Sequence, residues 1–154
     1  QELGVSTGTL YHYFPNKQIL FEQLAQQVSL QDVEMIAQID HNQSVTEKII
    51  ALGQLLIENQ EYVVKQAAIW LDFRQQISAQ QVEHNLVFQQ IDARYEQAIA
   101  ELFDLKDVKL AKLIWTLIDG ISISQIDHHE SSFATQVELL IQMLIAYFEK
   151  HILA

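Results

Sequence analysis

The side chains best equipped for chemistry crowd the start of the chain. Between Gly4 and Leu24 the sequence reads GVSTGTLYHYFPNKQILFEQL. Ser6, Thr7, Tyr11 and Tyr13 offer hydroxyls, His12 an imidazole and Lys17 an ammonium. Such donors suit phosphate oxygens, which accept hydrogen bonds and carry negative charge. They do not suit bond-making. Covalent catalysis needs a nucleophile with a base in reach, and no Ser-His-Asp arrangement or Gly-rich phosphate loop can be identified. His128, His129 and Glu130 form the other chemically loaded spot. Adjacent side chains diverge, so the two histidines do not chelate one ion by themselves. The Glu-x-x-His spacing of carboxylate-bridged di-metal bundles does not occur. The expectation is surface histidines, no metal, no cofactor and no enzymatic activity.

Composition narrows the setting. The chain has 154 residues, 49% of them hydrophobic, enough for a sizeable core in one domain, or in one large and one fragmentary domain. Cysteine is absent, which excludes disulfides and thiolate chemistry. No signal peptide and no run of about 18 apolar residues is present, so a soluble cytoplasmic protein without membrane contact is expected. The formal net charge is −11, and Arg74 and Arg94 are the only arginines. That field repels nucleic acid over most of the surface. Any DNA contact must be local, and residues 1–30 carry only Glu2, Lys17 and Glu22 as charges.

The elements that would position these groups are helices. Four glycines and one proline leave long stretches unbroken, and no strand-like alternation appears. Gly4 closes one helix, Ser6 or Thr7 caps a second, and Pro15 stops it after Phe14. Asn16 caps a third helix, with Ile19, Leu20, Leu24 and Val28 along one face. Asp40–Gln43 reads as a loop, and Ser44 with Glu47 as a capping box opening the next helix. Helices follow over Tyr62–Ile77 and Val82–Phe103, with a break at Ser78 and Ala79 and a loop at Asp104–Asp107.

Two short helices around a glycine-containing turn, the second rich in hydroxyls and aromatics, fit a helix-turn-helix. Thr7, Gly8 and His12 would meet base edges, Gly8 by allowing close approach of the backbone. Leu10 and Phe14 would point inward. Lys17 in a first helical turn opposes the helix dipole, unless a phosphate binds the same helix end and reverses the sign.

The last two helices, 108–126 and 133–152, are the most apolar. Leu110, Leu113, Ile114, Leu117, Ile118 and Ile121 make a stripe at helical spacing. Val137, Leu140, Ile141, Leu144, Ile145 and Phe148 repeat it. Trp115, Ile123, Leu139, Met143 and Tyr147 widen the apolar surface beyond one packed face. A second copy of the same pair would cover the excess in an intermolecular four-helix bundle, with a large internal core as the alternative. Gly120, inside the first of the pair, is explained by close approach of another backbone.

The segment GVSTGTLYHYFPNKQILFEQL resembles the signature of the TetR family of bacterial transcriptional regulators. The resemblance implies an all-α chain: a remnant of a helix-turn-helix DNA-binding domain over 1–29, then a helical effector-binding and dimerisation domain over 30–154. Family members carry roughly thirty more residues before this point, so the first helix and most of the second are expected to be missing. The resemblance further implies that Ser6, Thr7, Gly8, Tyr11, His12, Tyr13 and Lys17 contact operator DNA, with Tyr11 and Lys17 on phosphates. The implied protein is a homodimeric repressor released by a small-molecule effector. The alternative is a helical bundle that binds a small molecule or metal and has no DNA role.

A pocket between helices would take the effector. Tyr62, Trp70, Phe73, Phe88, Tyr95 and Trp115 are the bulky candidates, with Arg94 or Asp72 as orienting charges. Each is also readable as ordinary core, and for any single one of them that is the stronger reading. The acidic balance and the aromatics suit an apolar or cationic molecule.

Overall fold

The computed structural model describes residues 17–76, 86–127 and 132–151. These residues form six helices and no strand: α1 (Lys17–Ala37), α2 (Val45–Glu58), α3 (Gln60–Gln76), α4 (Leu86–Leu102), α5 (Val108–Asp127) and α6 (Phe133–His151). The helix-turn-helix positions before Lys17, the break at Ser78 and Ala79, and the His128-His129-Glu130 run lie outside the described residues.

Local chemistry accounts for the helix ends. Ser44 opens α2 with the expected capping box. The Glu47 N–H donates to Ser44 Oγ at 3.3 Å, and the Ser44 N–H donates to Glu47 Oε2 at 2.9 Å. Two of the orphan donors at the helix start are thereby satisfied. At the far end of α4, Asp104 adopts a positive φ of 53°. The Leu105 N–H reaches the Ala100 carbonyl at 2.9 Å and the Asp104 N–H reaches Glu101 at 3.3 Å, the paired bonds of a Schellman stop. Asp104 also receives the ammonium of Lys48 at 3.4 Å. Lys48 is itself buried in α2, its side chain 3% exposed, so this contact ties α2 to the end of α4.

The helices pack as two linked groups. α2, α4, α5 and α6 enclose the main core, built from Ile49, Leu52, Ile99, Ile114, Leu144 and Phe148 among others. The expected α5 and α6 stripes supply much of it: Ile114, Ile118, Val137, Leu140, Leu144 and Phe148 are all buried. α1 packs on α4 through a smaller cluster of Ala25, Ile91 and Tyr95, and α3 packs on α5. Gly53 allows a close helix crossing. A Cβ placed there would lie 2.2 Å from Ile141 Cδ1. The glycine singled out from sequence, Gly120, behaves differently: it is exposed, and nothing approaches within 4 Å of where its Cβ would stand.

α1 is one continuous helix of 21 residues, about 31 Å long at 1.5 Å per residue. Residues 29 and 30, between which the sequence divides the chain, both lie on this helix.

Candidate functional site

α1, α2, α3, α4 and α5 surround a largely apolar cavity of about 120 Å³. That is room for a small organic molecule, not a single water. Of the six aromatic candidates, Tyr62, Trp70, Phe88, Tyr95 and Trp115 line it. Phe73 does not. It stacks on Phe21 of α1 with ring centroids 3.7 Å apart and belongs to an aromatic knot outside the cavity. Trp70 meets Phe21 edge-on at 5.4 Å and Phe88 at 5.3 Å, so it joins the knot to the cavity wall. Deeper in, Tyr95 and Trp115 stack at 4.0 Å.

The charges differ from those expected. Arg94 does not line the cavity; its guanidinium donates to the Gln26 carbonyl at 3.3 Å and to Ser29 Oγ, pinning α4 to α1. Asp72 is not part of the lining either. Asp32, Arg74, Asp92 and Asp119 are. On α3, residues 72 and 74 point to different sides; both are exposed, and only Arg74 borders the cavity.

Each cavity charge has its own circumstances. Asp32 of α1 accepts the Tyr95 hydroxyl at 2.5 Å and the Tyr62 hydroxyl at 3.0 Å. Burial, then the charge of Asp32, pushes the Tyr62 phenol up to about 12, and the same causes raise Tyr95 further. Asp92 accepts Trp115 Nε1 at a long 3.5 Å. The Arg74 guanidinium lies 5.6 Å from the Phe88 ring centroid, a cation–π distance. Burial raises the Asp119 carboxyl above its ordinary range; Arg74 pulls the other way and Asp92 adds to the rise. No hydrogen-bond donor among the described residues reaches Asp119. Gln66 leans toward the Tyr62 hydroxyl, but its buried Nε2 completes no hydrogen bond among the described residues.

A second, more open cleft of about 320 Å³ adjoins the cavity. Arg74, Asp92, Trp115 and Asp119 border both spaces and so form the wall between them. Lys112 and Glu96, 3.8 Å apart, stand on the outer side.

Sequence reasoning missed Asp32, Gln66, Asp92 and Asp119. Asp32 carried a usable signal: it follows the α1 apolar face at helical spacing from Phe21, Ala25 and Ser29, where a carboxylate among buried positions needs a partner. Trp115 and Ile123, taken as part of a widened outer surface, line the cavity instead. Leu139, Met143 and Tyr147 do face outward, joined by Leu113 of the α5 stripe. Among the described residues no group of acidic and histidine side chains is arranged to hold a metal ion, and no helix is long and apolar enough to cross a membrane.

Lys17 begins α1, while Ser6, Thr7, Gly8, Tyr11, His12 and Tyr13 lie outside the described residues. Comparison with known families bears on this segment. Residues 1–24 match the model described as bacterial regulatory proteins, tetR family. No curated protein and no solved structure gives a significant match. The class defined by an all-helical body behind a helix-turn-helix segment is that of DNA-binding transcriptional regulators. Within that class, residues 1–24 are similar to the DNA-binding segment of the TetR family.

Proposed function

We propose that this regulator is a homodimeric repressor whose operator affinity is lowered by a small molecule bound in the cavity. The observation that carries the reading is the path of α1. Its first residues fall within the family match at 1–24, and its later residues Asp32, Met35 and Ile36 line the cavity. One helix thus runs from the family-matched segment to the cavity, which supports coupling between the two.

The coupling has named contacts. A ligand that moves Trp70 disturbs its edge contact with Phe21, four residues beyond Lys17. A ligand that competes for the Tyr62 or Tyr95 hydroxyl loosens the grip on Asp32. Either event lets α1 tilt against α4 and changes the spacing of two recognition helices, ideally about 34 Å apart across a dimer. A ligand acts this way to the extent that it prefers the released arrangement. Ser6, Thr7, Gly8, Tyr11, His12, Tyr13 and Lys17 remain the proposed DNA contacts. The outward row of Leu113, Gly120, Leu139, Met143 and Tyr147 on α5 and α6 is the proposed dimer face. A cytoplasmic location and the lack of a catalytic role follow from the same reading.

The test is binding of the full-length protein to the DNA upstream of its own gene, by fluorescence anisotropy across a salt series. Sequence-selective binding that weakens steeply with salt is expected. Lys17→Ala should weaken binding to all sequences alike and reduce the salt slope by about one. Equal, weak affinity for operator and random DNA would remove the regulator reading and leave a ligand-binding bundle.

A further inference from the structure

We propose that the cavity takes an organic cation, an ammonium group on an apolar body, with Asp119 as its counter-ion and the Tyr95–Trp115 stack as its aromatic wall. The inference rests on the reading of this cavity as the effector site and specifies what the effector is chemically.

Three observations point to it. First, the charge balance is one-sided: three aspartates and one arginine border a largely apolar chamber that Asn59, Gln66 and Ser122 also line. Two of those aspartates already have partners, Asp32 in the two tyrosine hydroxyls and Asp92 in the indole of Trp115. Asp119 is half-buried and accepts no hydrogen bond among the described residues. A carboxylate withdrawn from water without a donor is costly, and a cation in the chamber relieves that cost.

Second, the walls suit a cation that cannot donate many hydrogen bonds. Trp70, Trp115 and Tyr95 line the chamber, the last two stacked on one another. Ring faces attract a cation within about 6 Å, most strongly where water is excluded. An anion would meet three carboxylates against one arginine, and a neutral body would leave Asp119 as it was.

Third, Asp119 stands where a ligand would pass. With Arg74, Asp92 and Trp115 it belongs both to the chamber and to the outer cleft. Arg74, over the Phe88 ring, offsets part of the charge at Asp119, and an excess of carboxylates remains to meet an arriving cation. The chain's excess of acidic residues concentrates cations around the molecule generally.

The experiment compares three ligands of one shape: benzyltrimethylammonium, its neutral carbon isostere neopentylbenzene, and phenylmethanesulfonate. Each is titrated into the full-length protein without DNA, by calorimetry and by the fluorescence of Trp70 and Trp115. The cation is expected to bind at least tenfold tighter than the neutral isostere, and the anion not at all. Asp119→Asn should remove that tenfold preference while leaving neopentylbenzene affinity unchanged. Asp72→Asn, outside the lining, should change neither and controls for net charge. Equal binding of cation and isostere, preference for the anion, or binding of none overturns the proposal. So does a cation preference that survives Asp119→Asn. DNA release is measured separately. A bound cation that leaves operator affinity untouched refutes the effector reading while the ligand class stands.

Discussion

Tyr95 of α4 donates its hydroxyl to Asp32 of α1 at 2.5 Å, joining residues 63 positions apart, while Tyr62 of α3 donates to the other oxygen. Three helices therefore meet on one carboxylate. Tyr95→Phe deletes one of its two donors without changing shape. Hydrogen bonds to charged groups contribute about 1.5–3 kcal/mol, and the low end applies because Asp32 keeps Tyr62 and partial solvent. A loss of about 1.5 kcal/mol is expected in urea unfolding, with the slope unchanged. An equal midpoint for both proteins would mean the clamp adds nothing to stability.

The same clamp gives the protein an alkaline limit. Tyr62 is pushed up to about 12, and Tyr95 is raised as well, from an ordinary value near 10. A group whose folded value is raised supports folding fully below its unfolded value and loses that support as pH climbs through the folded one. Stability should therefore fall between about pH 10 and 12. Absorbance at the phenolate band should show two tyrosines ionising late, and together with unfolding. Ordinary titration of all five tyrosines near pH 10 would contradict the geometry.

Asp119 makes a prediction of opposite consequence at neutral pH. Burial raises its carboxyl, so the folded chain favours the protonated form, and the charged form present at pH 7 costs stability. Asp119→Asn should raise the melting temperature at pH 7. The advantage should shrink as pH falls through the raised folded value and vanish well below the ordinary 3.8, where the carboxyl is neutral in both states. An advantage independent of pH would point to packing rather than charge.

The two helical glycines should answer differently to alanine. At Gly53 the new methyl meets Ile141 Cδ1 at 2.2 Å and Cγ1 at 2.6 Å, so Ile141 must move, at about 1–3 kcal/mol of overpacking. At Gly120 nothing lies within 4 Å, and for an isolated chain alanine should gain up to about 1 kcal/mol of helix propensity. A dimer seam running past Gly120 would reverse that second sign and make it depend on protein concentration. Urea unfolding at two concentrations separates the cases.

The outer face of α5 and α6 should govern self-association. Met143 is 63% exposed and Leu113 53% exposed, with Leu139 and Tyr147 beside them, an apolar row of the kind that oligomers cover. Met143→Glu should shift the protein from dimer to monomer in sedimentation equilibrium with unchanged helical circular dichroism. A wild type that sediments as a monomer would sink the dimer proposal outright.

Much was legible from local chemistry. Helix periodicity, the Ser44–Glu47 box, the loops at Asp40–Gln43 and Asp104–Asp107, and the buried stripes of α5 and α6 depend on neighbours within a few residues. Such signals survive in a one-dimensional string because hydrogen bonds and side-chain faces repeat every turn. The opening motif is likewise local, and the family match falls on it. What only the tertiary structure decided was which inward face meets which partner. Phe73 and Phe88 look alike in sequence, yet one stacks on α1 and the other lines the cavity. Trp115 belongs to the chamber and Leu113 to the outer surface, although they stand two residues apart on one helix. Asp32, Asp92 and Asp119 converge from three helices distant in sequence. Their convergence follows from how the helices cross. That is set by the summed burial of all six helices, so no single segment records it.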